Sequence, residues 1–191
     1  MASTQGLQRT ERTQFDIPIL QPIHHFSNDA WTPVVSASTP TPTSTNAAAD
    51  NPNPKVRLIT WNIDFGAPAP QERMARALEY LGQRTALADK HGADKHGDLP
   101  YIILLQEMTE PDLEQIQKAR WVRERFLITD VSDRFWGGLY GTTTLVDRRL
   151  SVQRVFRVLY SASRMQRDGL FVDIGVGDSM FPTSPPSFPL V

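Results

Sequence analysis

Two apolar segments of this chain end in polar side chains that could bind a metal ion and a phosphate. Leu58–Trp61 leads into Asn62, and Ile102–Leu105 leads into Gln106 and Glu107. Short apolar runs of this kind predict β-strands, and the loops that follow strands often line a cleft. We therefore expect Asn62 and Glu107 to lie at the ends of two sheet strands, beside such a cleft.

The chemistry that suits this pair is the binding of a hard divalent cation. Mg²⁺ prefers carboxylate oxygen, retains several waters and commonly takes only one or two protein carboxylates, while substrate phosphate completes its coordination shell. Glu107 would hold Mg²⁺, and the amide of Asn62 would hold a phosphate oxygen or a metal-bound water. The alternatives are structural: Glu107 could cap a helix that begins near Pro111, and Asn62 could be a turn residue.

The order and context of the two motifs resemble those of the endonuclease/exonuclease/phosphatase family of metal-dependent phosphodiesterases. Thr60–Asp64 (Thr-Trp-Asn-Ile-Asp) together with Gln106–Met108 (Gln-Glu-Met) is most similar to the branch of 5′-tyrosyl-DNA phosphodiesterases. Gly141–Val146 and Arg164–Ile174 are similar in order and character to later strands of that branch. The resemblance covers residues 55–175.

This resemblance implies a fold, a cofactor and a partner. The implied fold class is α/β, a layered β-sandwich of two sheets packed face to face and flanked by helices, with the active site at one end. Mg²⁺ is the implied cofactor, with Glu107 as its ligand and Asn62 as the catalytic residue that orients the phosphate. DNA with a 5′-phosphodiester adduct is the implied partner, and the nucleus is the implied location.

The sequence departs from the family pattern after about residue 175. In that family a Gly-Asp-x-Asn motif and a terminal Ser-Asp-His motif supply the residues that position the attacking water and stabilise the transition state. Gly177–Met180 reads Gly-Asp-Ser-Met, a chance match without the Asn, and no Ser-Asp-His occurs. We therefore expect an incomplete domain, roughly the first half of the fold, that is inactive by itself. The alternative is a non-catalytic truncated relative that binds nucleic acid or a protein.

Charge is unevenly distributed along the chain. The formal net charge is −1, whereas residues 118–167 carry 11 basic and 4 acidic side chains. Arginine suits bidentate phosphate contacts, so this block could attract a polyanion; the alternative is a solvated surface whose arginine stems pack against the domain. Within the block, Arg167 could bind substrate phosphate from the cleft side, unless it forms a surface ion pair with Asp168 or Asp173.

The absence of cysteine excludes disulfides, zinc–thiolate sites and a thiol nucleophile. No apolar run is long enough to span a membrane, and the N-terminus lacks the basic and apolar pattern of a secretory signal. We expect an intracellular protein with no membrane partner.

Composition divides the chain into three parts. Residues 1–54 are rich in Pro, Ser, Thr and Asn and are predicted to be a disordered tail. Within it, the apolar Phe15–Leu20 could dock on the domain or on a partner, or could be an exposed short linear segment. Residues 55–176 are predicted to form the partial domain, and the Pro-rich residues 177–191 a disordered C-terminus. The repeated Asp-Lys-His-Gly of Asp89–Asp98 invites a metal interpretation, but a Gly-rich loop explains it.

Hydrophobic periodicity predicts strand, helix, strand, helix and then a β-meander. The helices are predicted at 71–87 and from 110 through 122, and the later strands near 125–130, 139–146, 150–159 and 169–176. Trp61 is predicted to be buried, and so is Trp136, which could instead stack on a base. Asp64 is predicted to be a turn residue, the alternative being support of a metal-bound water. An incomplete sandwich would leave one sheet face exposed.

Overall fold

The computed structural model describes residues 14–34, 55–90 and 99–175. Within these ranges the chain forms strands, α-helices and one short 3-10 turn at Asp133–Phe135. The helices are α1 (Pro70–Lys90), α2 (Glu110–Lys118) and α3 (Arg120–Arg125). The strands are β1 (Pro18–Leu20), β2 (His24–Ser27), β3 (Ala30–Pro33), β4 (Arg57–Asn62), β5 (Tyr101–Met108), β6 (Phe126–Ile128), β7 (Gly141–Asp147), β8 (Ser151–Leu159) and β9 (Asp168–Gly175).

The larger sheet has the strand order β3-β2-β6-β7-β5-β4. β4 and β5 are parallel neighbours, with Asn62 opposite Gln106 at their carboxyl ends. Parallel neighbours need a crossover connection, and α1 lies in the connection between them. The two strands that bear the motifs therefore end side by side, and β7 runs antiparallel to β5 on its other edge.

The described helices cover one face of this sheet. Each presents an apolar stripe with helical spacing. The stripe residues are Met74, Ala77, Leu78, Leu81, Leu113, Ile116 and Val122. They pack in one cluster with Ile103 and Leu105, which alternate along one face of β5. The predicted second helix ends earlier than expected, because Ala119 adopts an extended conformation that separates α2 from α3. Among the described residues, none of the helices combines the length and the hydropathy that a bilayer-spanning helix requires.

The smaller sheet has the strand order β1-β8-β9, with antiparallel pairing throughout. Val155 of β8 packs with Val146 of β7 and with Ile23, and Leu170 and Val172 of β9 join the same cluster. This second apolar cluster joins the two sheets face to face. The architecture of the described residues is thus helices, larger sheet and smaller sheet, the mixed α/β layered sandwich that the sequence predicts.

Residues 14–34 belong to this sandwich, so the prediction of a disordered tail through residue 54 is wrong for them. β1 pairs with β8, which confirms that the segment Phe15–Leu20 docks on the domain. The β2–β3 hairpin extends the larger sheet beyond β6. The composition of residues 1–54 as a whole conceals this segment, because Pro-rich and polar flanks dominate the average.

Aromatic contacts hold the hairpin on the helical side of the larger sheet. Trp31 packs against the main apolar cluster, and its indole Nε1 donates to the carbonyl oxygen of Gln117 at 3.3 Å. Phe26 contacts Trp31 edge-on, and the guanidinium of Arg123 lies 4.5 Å from the Phe26 ring centroid. These contacts join residues far apart in sequence, which composition does not register.

Some predictions concern residues outside the described ranges. They are the disorder of residues 1–13, 35–54 and 177–191, the chance match at Gly177–Met180, and the two histidines, His91 and His96, of the Asp-Lys-His-Gly repeat.

The inner face of the larger sheet is covered over only part of its width. The smaller sheet packs against Leu127 of β6 and Val146 of β7. Leu58 of β4, at the opposite edge of the larger sheet, is 65% exposed. Its neighbour Ile59 packs in the helix-side cluster, so alternation directs Leu58 to the inner face. The predicted exposure of a sheet face is confirmed at this strand.

Candidate functional site

A cavity of about 250 Å³ lies where β4, β5, β7 and the loop before β9 meet. Its lining residues are Asn62, Gln106, Glu107, Tyr140, Gly141, Thr142, Gln166, Arg167 and Asp168. The structure therefore brings together Asn62, Glu107 and Arg167, the three predicted site residues. Asn62 and Arg167 are separated by more than half of the length of the chain, so only the fold brings the three residues to one cavity. The roles assigned to them remain predictions.

Asn62 ends β4 and starts a tight turn. Its side-chain Oδ1 accepts a hydrogen bond from the backbone N–H of Asp64 at 2.8 Å, and the carbonyl oxygen of Asp64 accepts one from Ala67 at 3.0 Å. Asp64 adopts φ 60°, a left-handed conformation that Asp tolerates in turns. Asp64 thus has its predicted turn role and does not line the cavity, and Asn62 takes part in the turn that was the alternative to phosphate binding. The turn uses the oxygen of the Asn62 amide and leaves its Nδ2 as the group that can donate to a ligand.

Glu107 reaches the cavity through a β-bulge. Leu105 pairs with Thr143 and Met108 with Gly141, so two residues of β5 oppose the single residue Thr142 of β7. Glu107 has φ 54°, in the left-handed region. Simple strand alternation would place Glu107 on the opposite face from Gln106 and Asn62. The bulge removes this constraint, and both Asn62 and Glu107 line the cavity.

The backbone conformation of Glu107 carries a cost. A left-handed conformation in a residue with a Cβ is unfavourable by roughly 1–2 kcal/mol and tends to occur at functional sites. The alternative role of Glu107 as a helix cap is wrong. Thr109 is the N-cap of α2, and the Asp112 carboxylate accepts hydrogen bonds from the Thr109 N–H and Oγ1, both at 2.8 Å.

Arg167 lies on the loop that enters β9. The loop is held by the backbone N–H of Arg167, which donates to Ser163 Oγ at 2.9 Å, while Arg167 Nη2 contacts Met165 Sδ at 3.4 Å. The alternative ion pairs of Arg167 are not formed. Asp168 pairs with Arg157 instead, and Asp173 pairs with Arg154 at 2.7 Å. The exposed guanidinium of Arg167 therefore borders the cavity without a carboxylate partner in the described part of the chain.

A buried arginine stands behind the cavity wall. Arg157 of β8 is 1% exposed. Its Nη2 donates to both carboxylate oxygens of Asp130 (3.0 and 3.1 Å) and to the carbonyl oxygen of Thr142 (3.1 Å). Its Nη1 donates to Thr142 Oγ1 (3.2 Å) and to Asp168 Oδ1, and its Nε donates to Gln21 Oε1 (3.3 Å). Two of its partners, Thr142 and Asp168, line the cavity.

Asp130 is the fully buried partner in this network. Burial raises the pKa of the Asp130 carboxyl above its ordinary value, whereas the charge of Arg157 and the hydrogen bonds from Thr129, Gln21 and Thr143 act to lower it. Burying an ion pair is tolerated only when additional hydrogen bonds satisfy both groups. The threonine and glutamine donors meet this requirement for Asp130.

Much of the basic block is neutralised by ion pairs. Six of its eleven basic side chains form salt bridges with described carboxylates: Lys118, Arg120, Arg125, Arg149, Arg154 and Arg157. Arg134, Arg164 and Arg167 are exposed and have no carboxylate partner among the described residues. The structure therefore leaves only part of this basic block available to a polyanion.

The side chains that line the cavity suit a hard cation that takes few ligands from the protein. No group of three or more His, Cys, Asp or Glu side chains that could hold a metal occurs within residues 14–34, 55–90 and 99–175. The carboxylate of Asp168 is already engaged by Arg157 and by the Gly137 N–H (2.8 Å). Glu107 is thus the available carboxylate. Mg²⁺ with one protein carboxylate and several waters is compatible with this set, whereas a closed zinc site is not.

Aromatic residues flank the cavity. Phe65 and Tyr140 are stacked, with ring centroids 4.2 Å apart and planes inclined by 9°, and Tyr140 lines the cavity. Trp136 is 1% exposed within the main apolar cluster, so its alternative role in base stacking is wrong and its burial is confirmed. Trp61, which was predicted to be buried, is partly buried; it packs against the same cluster and contacts Tyr80 edge-on at 5.7 Å.

Two solved structures match this fold. Both are crystal structures of TDP2 from Caenorhabditis elegans, one of them of selenomethionine protein. The selenomethionine structure has 21% sequence identity and a TM-score of 0.39, and the other has 22% identity and a TM-score of 0.40. Each match covers 64% of this chain and 32% of the matched chain, so this chain spans about a third of their length. No family profile and no curated protein matches the sequence.

Sequence reasoning did not find the Arg157 network. Arg157 was one of eleven basic residues in a block, and nothing local distinguishes it from the surface arginines around it. One signal was present: Arg157 alternates with Val155 and Leu159 in β8, both of them buried. A charged residue in register with an apolar stripe predicts a buried ion pair.

Proposed function

We propose that this cavity is the metal- and phosphate-binding part of a phosphodiesterase active site of the endonuclease/exonuclease/phosphatase type. A single observation supports the proposal most strongly. Asn62, Glu107 and Arg167 lie far apart in the sequence, and they line one cavity. The proposed substrate is a phosphodiester at the 5′ end of DNA, with the 5′-tyrosyl adduct as its specific form, and the proposed location is the nucleus.

Each of the three side chains has a distinct task in this proposal. The Glu107 carboxylate holds the cation. The Asn62 Nδ2, whose amide is fixed by the Asp64 turn, donates to a phosphate oxygen. The Arg167 guanidinium neutralises and orients the phosphate through charge-assisted hydrogen bonds. When bound, Mg²⁺ supplies polarisation of the phosphoryl oxygens and neutralises developing charge.

The chain by itself is proposed to bind this substrate without turnover. Its 191 residues contain neither Gly-Asp-x-Asn nor Ser-Asp-His, the motifs that in the family position the attacking water and stabilise the transition state. Loss of a general base or of a charge-stabilising donor typically lowers the rate about 10²- to 10⁴-fold each. Two such losses leave little rate above the uncatalysed reaction.

Turnover and binding are tested with one substrate, a 5′-tyrosyl oligonucleotide in Mg²⁺. We expect no release of tyrosine. We expect binding, measured by fluorescence anisotropy, to weaken roughly 10- to 150-fold in Arg167→Ala, because hydrogen bonds to charged groups contribute about 1.5–3 kcal/mol. The matched control is Arg120→Ala, whose side chain is 89% exposed on α3 and pairs with Glu124.

Two outcomes contradict the proposal. Equal weakening by Arg120→Ala and Arg167→Ala would indicate general attraction of a polyanion and no specific site. Robust tyrosine release that Glu107→Ala abolishes would show that the chain contains catalytic groups beyond the three assigned to this cavity.

A second candidate is a binding module without a metal. The exposed Arg134, Arg164 and Arg167 favour it, because none has a carboxylate partner in the described ranges. This candidate predicts that removal of Mg²⁺ by EDTA leaves oligonucleotide affinity unchanged and that Glu107→Ala binds as the wild type does. The metal-binding proposal predicts weaker binding in both cases.

A further inference from the structure

We infer that Arg157 is a positioning residue for the cavity and that the N-terminal segment, residues 14–34, controls it through Gln21. The part of this inference that concerns ligand binding rests on the proposed function. The part that concerns the shape of the cavity wall depends only on contacts within the chain and is tested without a ligand.

Arg157 connects two strands that supply different parts of the cavity wall. Thr142 belongs to β7 of the larger sheet, and Asp168 opens β9 of the smaller sheet. Arg157 donates to both side chains and also to the Thr142 carbonyl oxygen. Because one guanidinium holds both, a shift of Arg157 changes the separation of the two sheets at the cavity.

Asp168 links the Arg157 guanidinium to the loop that carries Arg167. The second carboxylate oxygen of Asp168 accepts the Gly137 N–H at 2.8 Å. Gly137 in turn lies so close to the Gln166 carbonyl oxygen that a Cβ at Gly137 would overlap it. The loop before β7 and the loop before β9 are therefore held together at Asp168, next in sequence to Arg167. Removing the Arg157 contact frees both loops.

Gln21 completes the hydrogen bonding of Arg157 from the N-terminal segment. It is 7% exposed and lies between β1 and β2, where the segment passes from the smaller sheet to the larger one. Its Oε1 accepts from Arg157 Nε at 3.3 Å. Its Nε2 donates to the Thr129 carbonyl oxygen at 2.9 Å and to Asp130 Oδ1 at 3.3 Å. Gln21 thus contacts both members of the buried ion pair.

Loss of Gln21 leaves the buried Nε–H of Arg157 without its acceptor and removes one of the two hydrogen bonds that Asp130 Oδ1 accepts. Buried donors and acceptors in that state are unfavourable and recruit water. A guanidinium that turns toward water loses its alignment with Thr142 and Asp168, since its donors form a rigid fork. The docking of residues 14–34 therefore affects the positions of Thr142 and Asp168 in the cavity wall.

The test uses hydrogen exchange of the full chain, followed by mass spectrometry, in wild type, Gln21→Leu and Thr32→Val. Leucine retains the approximate volume of Gln21 and removes its polar atoms. Thr32→Val is the matched control in the same segment, because Thr32 Oγ1 contacts only Ser27 and His25 of the hairpin among the described residues. Arg157→Lys is the second variant, since lysine keeps the charge and loses the fork.

In Gln21→Leu and Arg157→Lys we expect exchange in peptides spanning 137–142 and 165–168 to rise about tenfold, with exchange in the buried part of α1 unchanged. Thr32→Val should exchange as the wild type does. Unchanged exchange at both loops in Gln21→Leu overturns the inference. A uniform rise that includes α1 also overturns it, because that result indicates only global destabilisation.

Affinity for the 5′-tyrosyl oligonucleotide in Mg²⁺ is the second measurement. We expect Gln21→Leu to bind about tenfold more weakly than Thr32→Val at a temperature where both are folded. If the wild type does not bind the oligonucleotide while the loops still respond in exchange, the proposed function fails and the positioning role of Arg157 stands. If the wild type binds and Gln21→Leu binds equally well, the positioning role is refuted and the proposed function stands.

Discussion

In a strand interior, glycine is ordinarily less stabilising than alanine. At position 107 we expect the reverse order. Glu107→Gly and Glu107→Ala both remove the carboxylate that is proposed to hold Mg²⁺, so their comparison isolates the effect of the Cβ on the backbone. Glu107 has φ 54° in the β5 bulge. We expect the glycine variant to be the more stable of the two.

The magnitude follows from two opposing contributions. A left-handed conformation costs a residue with a Cβ roughly 1–2 kcal/mol. Glycine, in turn, loses more conformational freedom on folding, which costs about 0.5–1 kcal/mol relative to alanine. Taking the middle of each range, the unfolding free energy of Glu107→Gly should exceed that of Glu107→Ala by about 0.75 kcal/mol.

The adjacent residue Gln106 is the matched control. It lies in the same strand and is not among the described non-glycine residues with positive φ. At this position Gly should be less stable than Ala by about 0.5–1 kcal/mol. The side-chain contacts of Gln106 with Thr60 are lost in both variants and cancel.

Urea denaturation followed by tryptophan fluorescence measures the four variants. With a slope of about 2 kcal/mol per molar urea, the midpoints within each pair should differ by roughly 0.3–0.5 M, with opposite sign at the two positions. The same sign at both positions would mean that Glu107 is not left-handed in solution. Glu107 and Asn62 would then face opposite sides of the sheet, and the shared cavity would be lost.

Three further predictions concern other parts of the domain. Gly141→Ala should lower the unfolding free energy by roughly 2–3 kcal/mol in the same assay, because a Cβ there would overlap the fully buried Trp136 indole; a change below 0.5 kcal/mol would contradict this packing. Burial alone would raise the pKa of Asp147, but hydrogen bonds from Arg149 and Arg125 lower it, so its contribution to stability is present above the unfolded value of about 3.9 and is lost as pH falls through the lowered folded value. As the pH is lowered from 5, the unfolding free energy measured in urea should therefore fall less in Asp147→Asn than in the wild type. An equal fall in both proteins would contradict the ion pairs. Large exposed apolar surfaces promote association, and Leu58 is 65% exposed on the open inner face, so we expect the wild type to self-associate in light scattering and Leu58→Thr to do so less, with a stability change below about 0.5 kcal/mol; equal behaviour of the two proteins would contradict a role of this face in association.

Most regular elements were predictable from local pattern. The strands that bear Asn62 and Glu107 were found from short apolar runs, and the α1 stripe from helical spacing. Residues 14–34 were missed because their short strands depend on distant partners: β1 pairs with β8, β2 pairs with β6, and β3 pairs with β2. Strands of this length have little preference of their own.

The residues of the candidate site were predictable from the sequence, but their contacts and relative positions were not. Local sequence identified Asn62, Glu107 and Arg167 because carboxylate, amide and guanidinium chemistry belongs to each side chain alone. It did not identify Arg157, whose partner Gln21 lies 136 positions away, nor the pairing that directs Asp168 away from Arg167.

Side-chain chemistry and the period of buried positions are local properties, and the order of residues settles them before any folding. Which face of β5 Glu107 occupies is a different kind of property. It depends on the bulge that forms where β5 meets β7, thirty or more residues later in the chain. Burial of Arg157 depends likewise on two sheets closing over it. Both outcomes are decided by pairing between distant segments, because only that pairing determines which polar groups lose water and which left-handed backbone is tolerated.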